Sequence, residues 1–290
     1  MRLSGSLRAL AFFAAWLVPW RSVIRVRAKR SRLAFFVHRR DAVGRHVAKY
    51  GEHEPALTRF IAAQLEAASA GIVVDVGANF GWHALHAAQF PAVESVIAFE
   101  PDLFNASLLD RNLAANGIEK VIVSATAVGA KSGIAPLYRY KPSNLGRHSL
   151  IADRGLGSRL VPVIELDRAL ELLGFGARPV ALLKIDVEGY EPAVIAGASE
   201  TLTRTQLVVL EFSPERSRAG ELSIEGMIRS LVGAGFRPHM LDAGERPEPI
   251  DAAALRSVDR VIDLIWLRCG SWLGDPQDVE ADRDPSAGET

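Results

Sequence analysis

The segment Val73–Gly81 reads Val-Val-Asp-Val-Gly-Ala-Asn-Phe-Gly, which combines an apolar run, an acid and two glycines. A buried strand that ends in a glycine turn and leads into a helix explains this order, because glycine lets a ligand approach the backbone. The free amides at the start of such a helix favour anionic groups. Asp75 lies inside the strand end, where an unbonded carboxylate is costly, so we expect the amides of the turn to bond it.

The spacing of the glycines indicates which ligand the turn accepts. Dinucleotide-binding turns use the pattern G-x-G-x-x-G, whereas Gly77 and Gly81 are separated by three other residues. Glu100 lies 23 positions after Gly77 and ends the next apolar segment, where an acid can accept hydrogen bonds from ribose hydroxyls. The two features together predict a nucleoside ligand without a diphosphate. S-adenosylmethionine fits, with its amino-acid end at the turn and its ribose at Glu100.

A third group of polar residues follows the apolar run at residues 180–185. The acids are Asp186, Glu188 and Glu191, and Lys184 lies within the run itself. In open α/β sheets ligands bind beyond the carboxyl ends of the strands, so these acids should face the same crevice as Asp75. An acidic helix N-terminus, which the helix dipole favours, is the simpler interpretation and suits Glu191 best.

The elements that must position these residues alternate along the chain. Apolar strands separated by helical stretches predict an α/β, Rossmann-like doubly wound sheet that is mostly parallel. A final pair of strands should end this sheet antiparallel. The predicted strands are 72–76, 96–99, 121–127, 180–185, 207–212, 236–241 and 261–268, and the predicted helices are 57–68, 82–90, 103–116, 191–202 and 224–235.

The motifs at 75–81, 99–101 and 184–191 resemble those of the FkbM family of class I S-adenosylmethionine-dependent methyltransferases. The resemblance covers roughly residues 50–269, including the lead-in at 50–55 and the segment 144–150. It implies a seven-stranded, mostly parallel sheet, S-adenosyl-L-methionine as cofactor, and O-methylation of a hydroxyl on a small molecule, polyketide, sugar or glycan. The predicted cofactor-binding residues are Asp75, Gly77, Ala78, Asn79, Gly81, Glu100 and Pro101.

Methyl transfer to a hydroxyl requires a base and an oriented acceptor oxygen. We expect Asp186 or Glu188 to orient the acceptor, and His148 is the next candidate for the base. A solvated loop histidine is the alternative interpretation of His148. His83 and His86 are three positions apart without a neighbouring carboxylate in the sequence, so we interpret them as surface or packing residues and predict no metal site.

Two other functions stay open at this stage. An NAD(P)-dependent oxidoreductase could use a similar sheet, although the glycines of a dinucleotide turn are missing. A non-catalytic nucleoside-binding or membrane-tethered domain is the second alternative. No nucleic-acid partner is expected.

The formal net charge of zero conceals an uneven distribution. Residues 1–40 hold ten of the 34 basic side chains and no acid, and residues 271–290 form an acidic tail. Ala9–Trp20 is apolar but has only twelve residues, short of the ~20 that a spanning helix needs. Residues 1–49 are therefore predicted to be a basic extension that contacts a membrane surface, packs on the domain, or is a cleaved or spanning segment.

The remaining chain is divided by the same reasoning. Residues 50–270 are predicted to be the methyltransferase domain, with an insertion at 131–179 that folds over the site as a lid. The composition of this insertion is loop-like, apart from a predicted strand at 160–166. The expected location is the cytoplasm, with contact to the inner membrane face through residues 1–40.

Overall fold

The computed structural model describes residues 22–141, 143–151, 153–217 and 222–268. Its helices are α1 (Ala42–Tyr50), α2 (Pro55–Ala67), α3 (Trp82–Ala87), α4 (Leu103–Asn116), α5 (Leu166–Leu172), α6 (Glu191–Ala196), α7 (Ser199–Thr203), α8 (Pro214–Ser217) and α9 (Ile224–Gly233). Its strands are β1 (Val23–Arg27), β2 (Ala34–His38), β3 (Gly71–Val76), β4 (Val93–Phe99), β5 (Val121–Ser124), β6 (Ala127–Val128), β7 (Gly133–Tyr138), β8 (Ser158–Ile164), β9 (Val180–Ile185), β10 (Thr205–Phe212), β11 (Phe236–Leu241), β12 (Pro247–Pro249) and β13 (Ile262–Arg268).

A central eight-stranded sheet has the order β12-β11-β13-β10-β9-β3-β4-β5. The neighbours from β10 to β5 pair in parallel, whereas β13 is antiparallel to both β10 and β11. This is the predicted Rossmann-like α/β sheet with an antiparallel C-terminal strand. The eighth strand, β12, adds three residues at the edge beyond the seven that were expected.

The central strands β3 and β9 are buried at every position, because helices or other segments cover both faces of the sheet. One apolar cluster contains Val73, Leu182 and Val209, and the other contains Val74, Leu183 and Leu210. The alternation along each strand therefore divides the core into two layers. Asp75 and Lys184, which pair across β3 and β9, share the face of the first cluster.

The first folded elements lie before the predicted domain boundary at residue 50. Strands β1 and β2 form a hairpin, and Phe35 and Val37 of β2 are fully buried in the first cluster. The ring of Phe35 stacks on Trp82 at 4.9 Å. The alternating Val-Ile-Arg-Val-Arg of β1 suggested a basic extension, but alternation is also typical of a strand with one covered face. Residues 23–49 thus pack with the domain core.

The insertion at 131–179 contains more regular structure than its loop-like composition suggested. Strand β8 is close to the predicted strand at 160–166, and it pairs with β7 and β6 in a separate three-stranded sheet. Strand β7 was missed, since proline and glycine interrupt its apolar pattern. The predicted helix at 191–202 is two shorter helices, α6 and α7, separated by Gly197, where a side chain would clash with the carbonyl of Gly129.

No helix among residues 22–141, 143–151, 153–217 and 222–268 has the length and apolarity needed to cross a membrane. The apolar run Ala9–Trp20 and the acidic tail 271–290 lie outside the described residues.

Candidate active site

The glycine turn after β3 contacts the loop after β9 directly. Gly77 has a φ of 84°, and a Cβ at this position would lie 1.9 Å from the backbone oxygen of Asp186. Asn79 also has a left-handed φ of 52°, which places its amide toward Glu100. Gly81, with a φ of 89°, precedes α3 and packs against Leu109. The turn therefore needs glycine at both predicted positions.

Asp75 is not bonded as the sequence suggested. The amides of Gly77 and Ala78 donate to the carbonyl oxygen of Phe99, and neither carboxylate oxygen of Asp75 forms a regular hydrogen bond within the described part of the chain, although the backbone amide of Ala84 lies near enough to lower its pKa. Burial raises the pKa of this carboxyl to about 6, against the opposing effect of the Lys184 charge. A buried unsatisfied carboxylate is rare in folded proteins, so it marks a position where a ligand could bond.

Glu100 lies on the other side of the turn, at the end of β4. Its Oε2 accepts from the amide of Asn79 and its Oε1 from the amide of Asp102, each at 2.8 Å. Burial nevertheless raises the pKa of Glu100 to about 7. Each oxygen of a carboxylate has about two acceptor positions, so both can still accept a further hydrogen bond.

The loop after β9 is held by its own acids. Lys184 Nζ lies 3.3 Å from Oδ2 of Asp186, and the charges of Asp186, Asp75 and Glu54 raise the pKa of Lys184 although burial opposes this. Glu191 accepts from the amide of Gly189 at 3.0 Å, and burial raises its pKa to about 7. The sequence interpretation of Glu191 as a residue of the helix N-terminus agrees with this bond.

Glu188 and His148 come together at the opposite wall. Glu188 has a left-handed φ of 55° and lies 3.6 Å from Nε of Arg147. Nδ1 of His148 accepts from the amide of Tyr140 at 2.9 Å, and Nε2 faces Asp102 at 4.0 Å. Because Nδ1 already accepts a hydrogen bond, it offers no free lone pair to a substrate proton. The geometry does not favour His148 as the base.

These residues line an open cleft of about 610 Å³, which we call the front cleft. Its walls come from the carboxyl ends of the parallel strands and from the insertion. Residues that sequence reasoning missed also line it, among them Asn105, Thr126 and Tyr190. Of the predicted residues, the front cleft brings together Gly77, Asn79, Glu100, Pro101, His148, Asp186 and Glu188.

A second space, which we call the inner chamber, adjoins the front cleft, and Gly77, Asn79 and Asp186 line both. It measures about 290 Å³, and Asp75 and Lys184 line its wall together with His53 and His83. Ala78 also lines this chamber, whereas Gly81 lines neither space and serves the turn by its packing.

Glu54 joins the two histidines of the inner chamber. Its Oε2 lies 2.8 Å from Nε2 of His83, and its Oε1 lies 3.4 Å from Nε2 of His53. Although burial alone would raise the pKa of Glu54, the bond to His83 lowers it, and burial lowers the pKa of His83 to about 4. The interpretation of His83 as a surface or packing residue missed this bond, because 29 positions separate the partners.

Comparison with known proteins agrees with this arrangement. A sequence model of the methyltransferase FkbM domain matches residues 75–238. The chain is 28% identical over 157 residues to methyltransferase sdnD of Sordaria araneosa, covering 44% of this chain and 60% of that protein. It is 22% identical over 179 residues to 2-O-methyltransferase NoeI of Sinorhizobium fredii, covering 55% of this chain and 70% of that protein. The chain thus spans less than two thirds of sdnD.

Among solved structures, a SAM-dependent O-methyltransferase from Thermotoga maritima is similar with a TM-score of 0.40 at 14% identity. This similarity covers 84% of this chain and 77% of that one. The sheet order defines the class of proteins with a Rossmann-like α/β fold. Within that class, the chain belongs to the FkbM methyltransferase family.

Proposed function

We propose that this protein transfers the methyl group of S-adenosyl-L-methionine to a hydroxyl oxygen of a small molecule, polyketide, sugar or glycan. The observation that carries the proposal is the placement of Asp75 and Glu100. These buried carboxylates end adjacent parallel strands and lie on opposite sides of the turn at Gly77. A ligand that crosses this turn meets one acid in each of two connected spaces.

The nucleoside end of the cofactor suits the front cleft. Glu100 is oriented by two backbone amides and can still accept bonds from ribose hydroxyls. Asn105, Leu145 and Thr126 are further lining residues beside it. This wall includes residues of the insertion. The adenine ring of the cofactor would therefore be enclosed by residues that the strands alone do not supply.

The amino-acid end suits the inner chamber. Among the described residues Asp75 forms no regular hydrogen bond, and it would accept from an ammonium group, which removes the cost of burying an unbonded carboxylate. Lys184 lies in the same chamber and carries the opposite charge that a ligand carboxylate requires. Both ends of a zwitterionic ligand therefore have a complementary side chain here.

Asp186 is the residue of this chain best placed to orient the acceptor. It lines both the front cleft and the inner chamber, so it lies where the two parts of the cofactor would meet. S-adenosylmethionine supplies an activated methyl group on a positively charged sulfonium, which an acid-lined site favours. Glu188 pairs with Arg147 and would hold the covering segment rather than the acceptor.

The choice of an oxygen acceptor draws its support from the family resemblance and from the similarity to NoeI, a 2-O-methyltransferase. The family also favours methyl transfer over the NAD(P)-dependent oxidoreductase that the sheet alone would allow.

Isothermal calorimetry with S-adenosylhomocysteine and with NAD tests the cofactor assignment. We expect S-adenosylhomocysteine to bind and NAD not to bind. Asp75→Asn should weaken S-adenosylhomocysteine by roughly tenfold to a hundredfold, which corresponds to the loss of a bond to a charged group. Asp110→Asn, an exposed change on α4, is the matched control. Binding of NAD alone would overturn the proposal.

A further inference from the structure

A third space opens behind the inner chamber, between α2, α3 and the turn of the first hairpin. We call it the rear cavity, and its empty space, which includes space open to solvent, is about 850 Å³. It shares His53, Trp82 and His83 with the inner chamber, so the two spaces are adjacent. Its wall includes Ala28, Ser31, His53, Ile61, Trp82 and Phe90.

The polar groups of this wall bond one another. Trp82 Nε1 donates to Oγ1 of Thr58 at 3.0 Å, and that hydroxyl donates to the carbonyl of His53. His86 is bonded through Nδ1 to the carbonyl of Trp82 and through Nε2 to Ser31 Oγ. Since these groups are already bonded, the wall presents mainly apolar surface, as ligand cavities commonly do, although Arg30, Glu52, Arg59 and Gln89 also line it.

The inner end of the cavity is the polar group of His53, Glu54 and His83. Glu54 has a left-handed φ of 43° directly before Pro55, a position where extended backbone is preferred. Its side chain does not cap α2, although it is the residue before that helix, and instead faces both histidines. Strained backbone of this kind persists where surrounding contacts hold it and is concentrated at functional sites.

We propose that the rear cavity binds the largely apolar body of a hydroxylated methyl acceptor, whose hydroxyl reaches past His53 into the inner chamber that Asp186 also lines, and that His53 takes the proton of this hydroxyl. This inference rests on the proposed methyltransferase function. His53 lines both spaces and is more exposed than His83, which leaves it accessible to a ligand in the cavity. Nε2 of His53 faces Glu54, so the other ring nitrogen is the acceptor of the proton.

The step is balanced without a further reactant. The bond between the acceptor oxygen and the methyl carbon forms as the bond between that carbon and the cofactor sulfur breaks. The sulfur keeps the electron pair and becomes a neutral thioether, and the hydroxyl proton passes to His53. The resulting imidazolium faces the carboxylate of Glu54, which stabilises it as an orienting carboxylate does for a catalytic histidine.

Two alanines of α2 provide a matched test of the cavity. Ala62 lines the rear cavity, whereas Ala63 is exposed on the same helix and does not line it. The probe is 1-anilinonaphthalene-8-sulfonate, an aromatic anion whose fluorescence rises in apolar surroundings. We expect Ala62→Phe to weaken probe binding at least tenfold and Ala63→Phe to leave it unchanged, with S-adenosylhomocysteine affinity equal in both. Unaltered probe binding by Ala62→Phe, or no probe binding by the unchanged protein, overturns the assignment of the cavity.

The role of His53 is tested by methyl incorporation from labelled S-adenosylmethionine into an organic-solvent extract of cells. We expect His53→Gln to lower the rate by on the order of 10² or more, the usual contribution of a general base, without changing S-adenosylhomocysteine affinity. His46→Gln, an exposed histidine of α1, is the control. An unchanged rate for His53→Gln refutes the base, and label found only in the aqueous extract refutes the apolar acceptor. Failure of S-adenosylhomocysteine to bind would instead refute the proposed function.

Discussion

Oε2 of Glu54 lies 2.8 Å from Nε2 of His83 although 29 positions separate the two residues. The bond connects the segment before α2 with the helix after the glycine turn. It therefore links the part of the chain that would hold the acceptor with the part that would hold the cofactor.

Glu54→Gln should destabilise the protein, because Lys184 and His83 lose a buried charged partner. We expect a loss of about 1–3 kcal/mol in the free energy of unfolding, measured by urea titration. Glu52→Gln removes the partly exposed ion pairs with Lys29 at 3.5 Å and Arg30 at 4.0 Å and should cost less than about 1 kcal/mol. Equal losses in the two variants would contradict a special role for the Glu54–His83 bond.

Glu100 should make cofactor binding depend on pH. Its pKa is about 7 in the free protein, and hydrogen bonds from ribose hydroxyls favour the ionised form, so binding releases a proton. Affinity for S-adenosylhomocysteine should thus rise as the pH approaches 7 and level off above it. In calorimetry, Glu100→Gln should remove this part of the dependence and weaken binding. Glu94→Gln, exposed on the same strand, should do neither.

Glu191 should make stability fall with pH. Burial raises its folded pKa to about 7 from an ordinary value of 4.5, so the native state holds a proton that the unfolded state releases. The contribution of Glu191 to the free energy of unfolding is then greatest below pH 4.5. It declines as the pH rises to 7, by about 3 kcal/mol at most. Urea unfolding at pH 5 and pH 8 should show a smaller difference for Glu191→Gln than for the unchanged protein. Glu200→Gln, exposed on α7, should behave like the unchanged protein.

Gly77→Ala should disrupt the site, since its Cβ would lie 1.9 Å from the backbone oxygen of Asp186 in a left-handed conformation. We expect a loss of more than about 3 kcal/mol, or failure to fold, in thermal unfolding. Gly117→Ala also has a positive φ, of 63°, but no atom lies within 4 Å of the added carbon. That variant isolates the backbone strain and should cost about 1 kcal/mol. Similar costs would show that the turn does not contact β9 as described.

Two truncations distinguish residues that would bind a membrane surface from residues that the fold requires. Removing residues 1–21 should leave S-adenosylhomocysteine affinity unchanged and weaken binding to vesicles of anionic lipid, since the segment is basic and partly apolar. Removing residues 1–40 also deletes β1 and β2, which exposes the core face that Phe35 covers. We expect this shorter protein to aggregate or unfold. Stable folding without residues 1–40 would contradict the packing of the hairpin.

The central sheet could be predicted because its strands are apolar runs of ordinary length separated by helices. The placement of Asp75, Glu100 and Asp186 at one edge follows from the rule that parallel strands end on the same side. The strands were predicted from residues that are close in the sequence, and the shared edge of the three acids was predicted from a general rule of topology.

The remaining features depend on contacts between distant segments. The turn amides could have bonded Asp75, and only the structure shows that they donate to Phe99 instead. No local sequence pattern predicts the bond between His83 and Glu54. Strand β2 lies in a basic stretch of the sequence, and only the stacking of Phe35 on Trp82 shows that the strand belongs to the core. In each of these cases, contacts between distant segments determine the partner of a residue or the position of a strand.

The residues that line the rear cavity divide the chain in a way that bears on how such enzymes diversify. The segment that matches the family begins at residue 75, so the part of the wall formed by Ala28, His53 and Ile61 lies before it, whereas the part formed by Trp82 and Phe90 lies within it. The acids that would hold the cofactor, from Asp75 to Asp186, all lie within it. Exchange of about the first 70 residues between relatives would accordingly alter the preference for one acceptor over another. The residues that would bind the cofactor would stay unchanged.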